Sequence, residues 1–212
     1  TKYDKNGILI WSKTFRTCSQ SGCHPLLNFL LDNQNGEFFA FGQYDHNSSY
    51  RTGWIIKFDA NGTIIEQKAS SNLIRGATKT SDGNIVVAGG VGLTPTNAIL
   101  MKFNPQNMTP MWSKSYSLTM PFSAQASSYG MSVYEDSNSD LYLYSTTDNN
   151  WTRCVVIKTN SFGTVINYSG MANYTAGALY AFDTRMSRTS DSGFIIVYGN
   201  RIKKIPENFS ST

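Results

Sequence analysis

GWIIKFDANGTIIEQKAS, residues 53–70, is the stretch whose reading decides the fold. An apolar run ends in Lys57-Phe58, the turn Asp59-Ala60-Asn61-Gly62 follows, and a second strand-like run leaves it. The same order recurs as KYDKNG from Lys2, KFNPQN from Lys102, KTNSFG from Lys158 and KIPEN from Lys204, at spacings of 55, 45, 56 and 46 residues. A second series interleaves with it. NGEFFAFG ends at Gly42, DGNIVVAG at Gly89, SDLYLYS at Ser145 and SGFIIVYG at Gly199, which lie 47, 56 and 54 residues apart. Two interleaved series with matching periods mean stacked copies of one supersecondary unit, and strand-only content narrows that unit to a propeller blade. The sequence therefore predicts an all-β chain, a β-propeller of four-stranded antiparallel blades, about four in number.

One unit can be read strand by strand. Asn72 to Thr80 is a first strand, whose small Gly76 and Ala77 suit an inner position where neighbouring blades converge. Ser81-Asp82-Gly83 is a turn, Asn84 to Ala88 a buried second strand, and Gly89 to Thr96 a connecting loop. Ala98 to Phe103 is the third strand, and Met111 to Tyr116, after the Asn104–Asn107 turn, the fourth. Full units fall at about 26–69, 72–117 and 127–170, with three inner strands of a fourth over 178–205. ILIWSKTF at residues 8–15 shares Trp-Ser-Lys with MWSKSY at 111–116 and has the pattern of an outer strand. It is expected to pair with residues 201–205 and close the last blade, making residues 1–212 one domain. The alternatives are an arc of a larger ring or exchange of the strand with a neighbouring molecule. Lys13, Lys68 and Lys114 in the outer strands read as charges that discourage edge-to-edge pairing.

GWIIKFDANGTIIEQKAS and AILMKFNPQNMTPMWSKSY resemble the SBBP-type β-propeller repeat of surface and secreted proteins. The resemblance covers nearly the whole chain and departs from the pattern at Thr159-Asn160-Ser161 and in the last unit. It implies extracellular scaffolding or binding and brings no catalytic residues with it.

Composition agrees with an extracellular β-protein and excludes other classes. The net charge is +4 with the basic residues dispersed, which does not make the basic stripe that nucleic acid requires. No apolar run approaches the ~20 residues of a membrane span, and Thr1-Lys2-Tyr3-Asp4 is not a signal peptide. Seven Asn-x-Ser/Thr sequons begin at Asn47, Asn61, Asn107, Asn150, Asn167, Asn173 and Asn208. Six fall in expected turns or loops and Asn167 in an outermost strand, positions a glycan can occupy. Cys18 and Cys23 enclose a short loop that a disulfide would close in an oxidising compartment. A metal at Cys18 and Cys23 would need two further ligands, and only His24 is near. Cys154 reads as a buried thiol.

Chemistry is hard to find. His24 and His46 are the two histidines, and both are expected in loops, far from a triad or metal set. No nucleophile elbow, phosphate loop or dinucleotide fingerprint occurs, and no cofactor is implied. Most carboxylates (Asp4, Asp32, Asp59, Asp82, Asp136, Asp140, Asp191) fall in repeat turns, where backbone capping explains them. Asp45 and Asp148 occupy equivalent loops, and a glycosidase would have to be built from that pair. The same loops, 42–54 and 146–154, carry Tyr44, Tyr50, Arg51, Trp151 and Arg153, the residue types that anchor proteins or stack on sugars. The sequence thus predicts a non-catalytic extracellular module with protein partners, or self-association through blade edges. A glycan- or protein-binding head is the rival.

Overall fold

The computed structural model describes residues 1–15, 23–46, 50–91, 97–117, 128–147, 153–171, 185–191, 193–198 and 201–206. The described residues contain seventeen strands and no helix. A small hairpin joins β1 (Lys2–Tyr3) to β2 (Leu9–Trp11). The first sheet runs β3 (Cys23–Asp32), β4 (Glu37–His46), β5 (Tyr50–Asp59), β6 (Ile64–Ser70). The second runs β7 (Asn72–Lys79), β8 (Ile85–Val91), β9 (Ala98–Asn104), β10 (Thr109–Tyr116). The third runs β11 (Ser128–Glu135), β12 (Leu141–Thr147), β13 (Arg153–Thr159), β14 (Val165–Met171). The fourth has three strands, β15 (Arg185–Arg188), β16 (Phe194–Tyr198) and β17 (Arg201–Ile205). Every sheet is an antiparallel meander in chain order.

Three of the expectations need correction. Gly89, Gly90 and Val91 are not a loop: β8 continues through them and pairs on both sides, Gly89 with Ile74 and Ile99. The glycine is there because a Cβ on Gly89 would stand 1.7 Å from the Leu73 carbonyl oxygen. The segments around His24 and His46 are not loops either, since β3 opens at Cys23 and β4 runs through His46, with Cys23 opposite His46. Finally, residues 8–15 do not pair with 201–205 among the described residues. Trp11 lies opposite Lys2 and Leu9 opposite Tyr3, whereas β17 pairs with β16.

The turns explain why the repeat is spelled as it is. Asp59 Oδ1 accepts from the Asn61 and Thr63 amides, and Asp4 and Asn160 do the same for their own turns. The Gly that closes each of these turns, Gly62 for one, has φ +74° and leads into a bulge. The bulge is the same in every copy. Lys2, Lys57, Lys102 and Lys158 face Trp11, Glu66, Trp112 and Asn167, and one residue is then skipped before the next pair. The short N-terminal hairpin is thus a faithful copy of the end of a sheet's third and fourth strands.

Three apolar layers lie between successive sheets. Phe39, Phe41 and Ile55 of the first sheet pack on Ile85, Val87 and Phe103 of the second. Val86, Ala88 and Leu100 on its other side meet Leu141, Leu143 and Ile157 of the third. Tyr142, Tyr144 and Val156 meet Phe194, Ile196 and Ile205 of the fourth. Alternate residues of each second strand therefore serve opposite neighbours, which is why these strands read as continuous apolar runs. First strands approach one another closely: β3 contacts β7, β7 contacts β11, and β11 contacts β15. A Cβ on Gly76 would lie 2.6 Å from the Met131 carbonyl oxygen, so the small residue of the inner strand is required by its neighbour.

Candidate interaction site

Acids at the turn between first and second strands are engaged with the repeat lysine. Lys57, Lys102 and Lys158 lie in third strands with their stems buried or half-buried. Their ammonium groups reach back to acids at the preceding turn: Glu37 at 2.8 Å, Asp82 at 2.6 Å, and Asp140 at 3.0 Å with Asp136 at 3.5 Å. Lys204 meets Asp191 in the same way in the fourth sheet. The Lys57 hydrogen bond holds Glu37 below its ordinary pKa. Burial pushes Asp82 upward, but hydrogen bonds from Lys102, Thr80 and Asn84 outweigh it and keep the carboxyl well below the usual range. At Asp191, Lys204 and Thr189 lower the value to about 2. This pairing was not read from the sequence, although the fixed Lys and an acid about twenty residues before it (Glu37 and Lys57, Asp82 and Lys102) were its signal.

Outer strands have a second task beyond guarding an edge. Trp11 Nε1 donates to Ala60 O at 3.0 Å, Lys68 Nζ to Asn107 O at 2.8 Å, and Tyr116 OH to Gly163 O at 2.8 Å. Different donors reach the same place, the turn between third and fourth strands of the next sheet. Burial pushes the Tyr116 phenol up, so it remains a donor across the ordinary pH range. Lys13 and Lys114 lay their stems against Gly62 and Gly163 of those turns, where a Cβ would meet them at 3.0 and 2.8 Å.

The hairpin β1–β2 treats the first sheet as an outer strand treats its successor, but it covers less. Trp11 and Phe15 pack on Tyr44, Trp54, Ile56 and Phe58, with the Phe15 and Phe58 rings 5.4 Å apart. Under the hairpin remains a cleft of about 560 Å³, walled by Trp11, Phe15, Leu27, Leu30, Phe38 and Trp54 among others. Leu27 and Leu30 are 63% and 54% exposed. The Trp54 Nε1 donor is buried and has no hydrogen-bond partner among the described residues.

The residues expected to bind ligand are placed as follows. Tyr44 is buried against Trp54, with ring centroids 6.3 Å apart, and backs a residue of the cleft wall rather than standing as an exposed anchor. Tyr50 and Arg51 open β5 opposite His46 and Asp45, so residues 42–46 and 50–54 are paired strands rather than loop. Arg153 opens β13 opposite Thr147. Trp151 and Asp148 lie outside the described residues. Asn61 and Asn107 are exposed in turns, and Asn167 is half-buried in the edge strand β14. Asn47, Asn150, Asn173, Asn208 and Cys18 lie outside the described residues, and Cys23 begins β3. No described group of three or more His, Cys, Asp or Glu is arranged to hold a metal ion, and no described helix is long and apolar enough to cross a membrane.

No protein-family model and no curated protein matches the chain. Among solved structures it is similar to a protein of unknown function from Bacteroides caccae, with TM-score 0.53 and 11% identity over 96% of this chain. The chain spans 66% of that protein's length. It is also similar to a eukaryotic initiation factor, with TM-score 0.45 and 11% identity over 74% of this chain and 35% of the other. At these identities the first likeness bears on the fold alone.

Proposed function

We propose that the sheets are blades of a β-propeller and that the protein is a non-catalytic, N-glycosylated module of a cell-surface or extracellular assembly. The blade reading is supported by the close approach of successive first strands and by the shared apolar layers. The observation that carries the function is the use of polar side chains. Turn acids are joined to the repeat lysines and outer-strand donors to the next sheet's carbonyls, so these polar side chains build the stack. The resemblance to SBBP-type repeats and the exposed Asn61 and Asn107 sequons support the extracellular setting.

A glycan-array and glycoside-hydrolysis screen of the protein beside its Trp151→Ala variant tests this. The module reading expects no specific ligand and no turnover. A ligand bound by the wild type and lost in the variant would make the protein a glycan-binding head instead.

A further inference from the structure

We propose that the cleft under the N-terminal hairpin is one half of a sheet-to-sheet junction whose other half is the fourth sheet of a second copy, so that copies associate head to tail. The proposal rests on the module reading and names the partner. At each internal junction the face of one second strand that carries Ile85 and Val87, or their equivalents, packs on the alternate face of the second strand before it, such as the face of Phe39 and Phe41. Phe38 and Ala40 hold in the first sheet the register positions of Ile85 and Val87, or Leu141 and Leu143, in the next two. No sheet among the described residues packs on them; only the hairpin does, and it leaves the cleft. At the other end, Ile195 and Val197 hold the positions of Tyr142 and Tyr144. There Val197 is 40% exposed, and Ile202, paired with it on the same face, is 73% exposed. The two uncovered faces are the complementary halves of the junction that the chain already makes three times.

The register also fixes how the edges meet. Lys2 and Lys204 are the same repeat position, and Lys2 now lies opposite Trp11. In the first sheet Lys57 faces Glu66, Ile56 faces Gln67 and Ile55 faces Lys68. Transferred to the junction between copies, Lys204 faces Trp11, Lys203 faces Ser12 and Ile202 faces Lys13. Strand β17 then takes the edge that β1 now occupies, and Lys2–Tyr3 must yield to it. The gain is an edge paired further along its length and an apolar face covered on both sides. Because the two surfaces differ, the contact is heterologous and propagates.

Sedimentation velocity over a wide concentration range reads the association, and a photo-cross-linking residue at position 202, in a mixture of isotopically light and heavy chains, reads the register. The expected result is concentration-dependent oligomers with mixed-isotope cross-links to residues 12–14. Val197→Lys, on an exposed side chain of the same face, is expected to abolish both while leaving the circular-dichroism spectrum unchanged. A monomer at every concentration overturns the proposal, as do cross-links confined to single chains, which mean ring closure within one molecule, or cross-links elsewhere. These outcomes are independent of the glycan array. A hit on the array sinks the module reading with the stacking intact, and a lasting monomer removes the stacking while the module keeps some other partner.

Discussion

Replacing Lys102 by Met separates the two things this side chain does. Lys102 is 4% exposed, and its Nζ lies 2.6 Å from Asp82 Oδ2. At that distance and an effective dielectric constant near 20, the gross attraction is about 6 kcal/mol. Taking the ammonium out of water offsets most of it, and Asp82 is itself half-exposed, which leaves a net ~1–2 kcal/mol. The buried stem adds about 0.8 kcal/mol per methylene. Lys102→Met keeps most of the stem and is expected to lose the net ~1–2 kcal/mol in urea unfolding at neutral pH; Lys102→Ala also loses the packing and should fall by ~3–4 kcal/mol. The carboxyl of Asp82 is lowered in the folded state. Its contribution is therefore complete above the unfolded value near 4 and declines as pH falls toward the folded one. The gap between wild type and Lys102→Met should accordingly shrink below about pH 4. Equal losses for Met and Ala, or a gap that does not change with acidification, would refute the reasoning.

Other consequences are simpler to state. Trp11→Ala removes the bond to Ala60 O and the ring packed against Gly62, so hydrogen exchange should quicken across residues 1–15 while the third sheet keeps its protection. Gly89→Ala should give no soluble folded protein, because the new Cβ meets backbone at 1.7 Å. In Gly83→Ala, where nothing lies within 4 Å but φ is +81°, the loss should be about 1 kcal/mol; similar behaviour of the two variants would discredit the contact argument. Glycopeptide mass spectrometry of native-source protein should find Asn61 and Asn107 modified more fully than half-buried Asn167, and the opposite order would contradict the exposure argument. Asp191, lowered to about 2 by Lys204 and Thr189, should titrate by NMR below free aspartate, and Lys204→Met should raise it.

Strand order within each sheet was readable because both periodic series report it directly. The turn after Lys57 announces the end of a third strand, and the apolar run NIVVA a second strand buried on both faces. What could not be read came from neighbours distant in sequence. The Gly89-Gly90 pair reads as a flexible link because its requirement, the Leu73 carbonyl, lies on another strand. The partner of ILIWSKTF differs from the expected one because Lys2 and Lys204 share a repeat position, so the two ends compete for one register. The candidate site escaped for a related reason. Tyr44 looks like a binding residue by type, and only packing against Trp54 shows it to be buried support, while the cleft is made by the absence of a neighbour, which no local pattern records.

The ties from outer strands to the next sheet's turn resemble a lap joint. The sheet boundary in the chain, at Ser71 between β6 and β7, is not a mechanical boundary, because Lys68 still grips the carbonyl of Asn107 across it. Removing a whole sheet by cutting at such links would strip its neighbour of the overlap. A duplication or deletion that respects the joint should be staggered, beginning inside the turn between third and fourth strands. By the same logic melting should travel inward from the fourth sheet, which among the described residues has no outer strand to overlap anything beyond it.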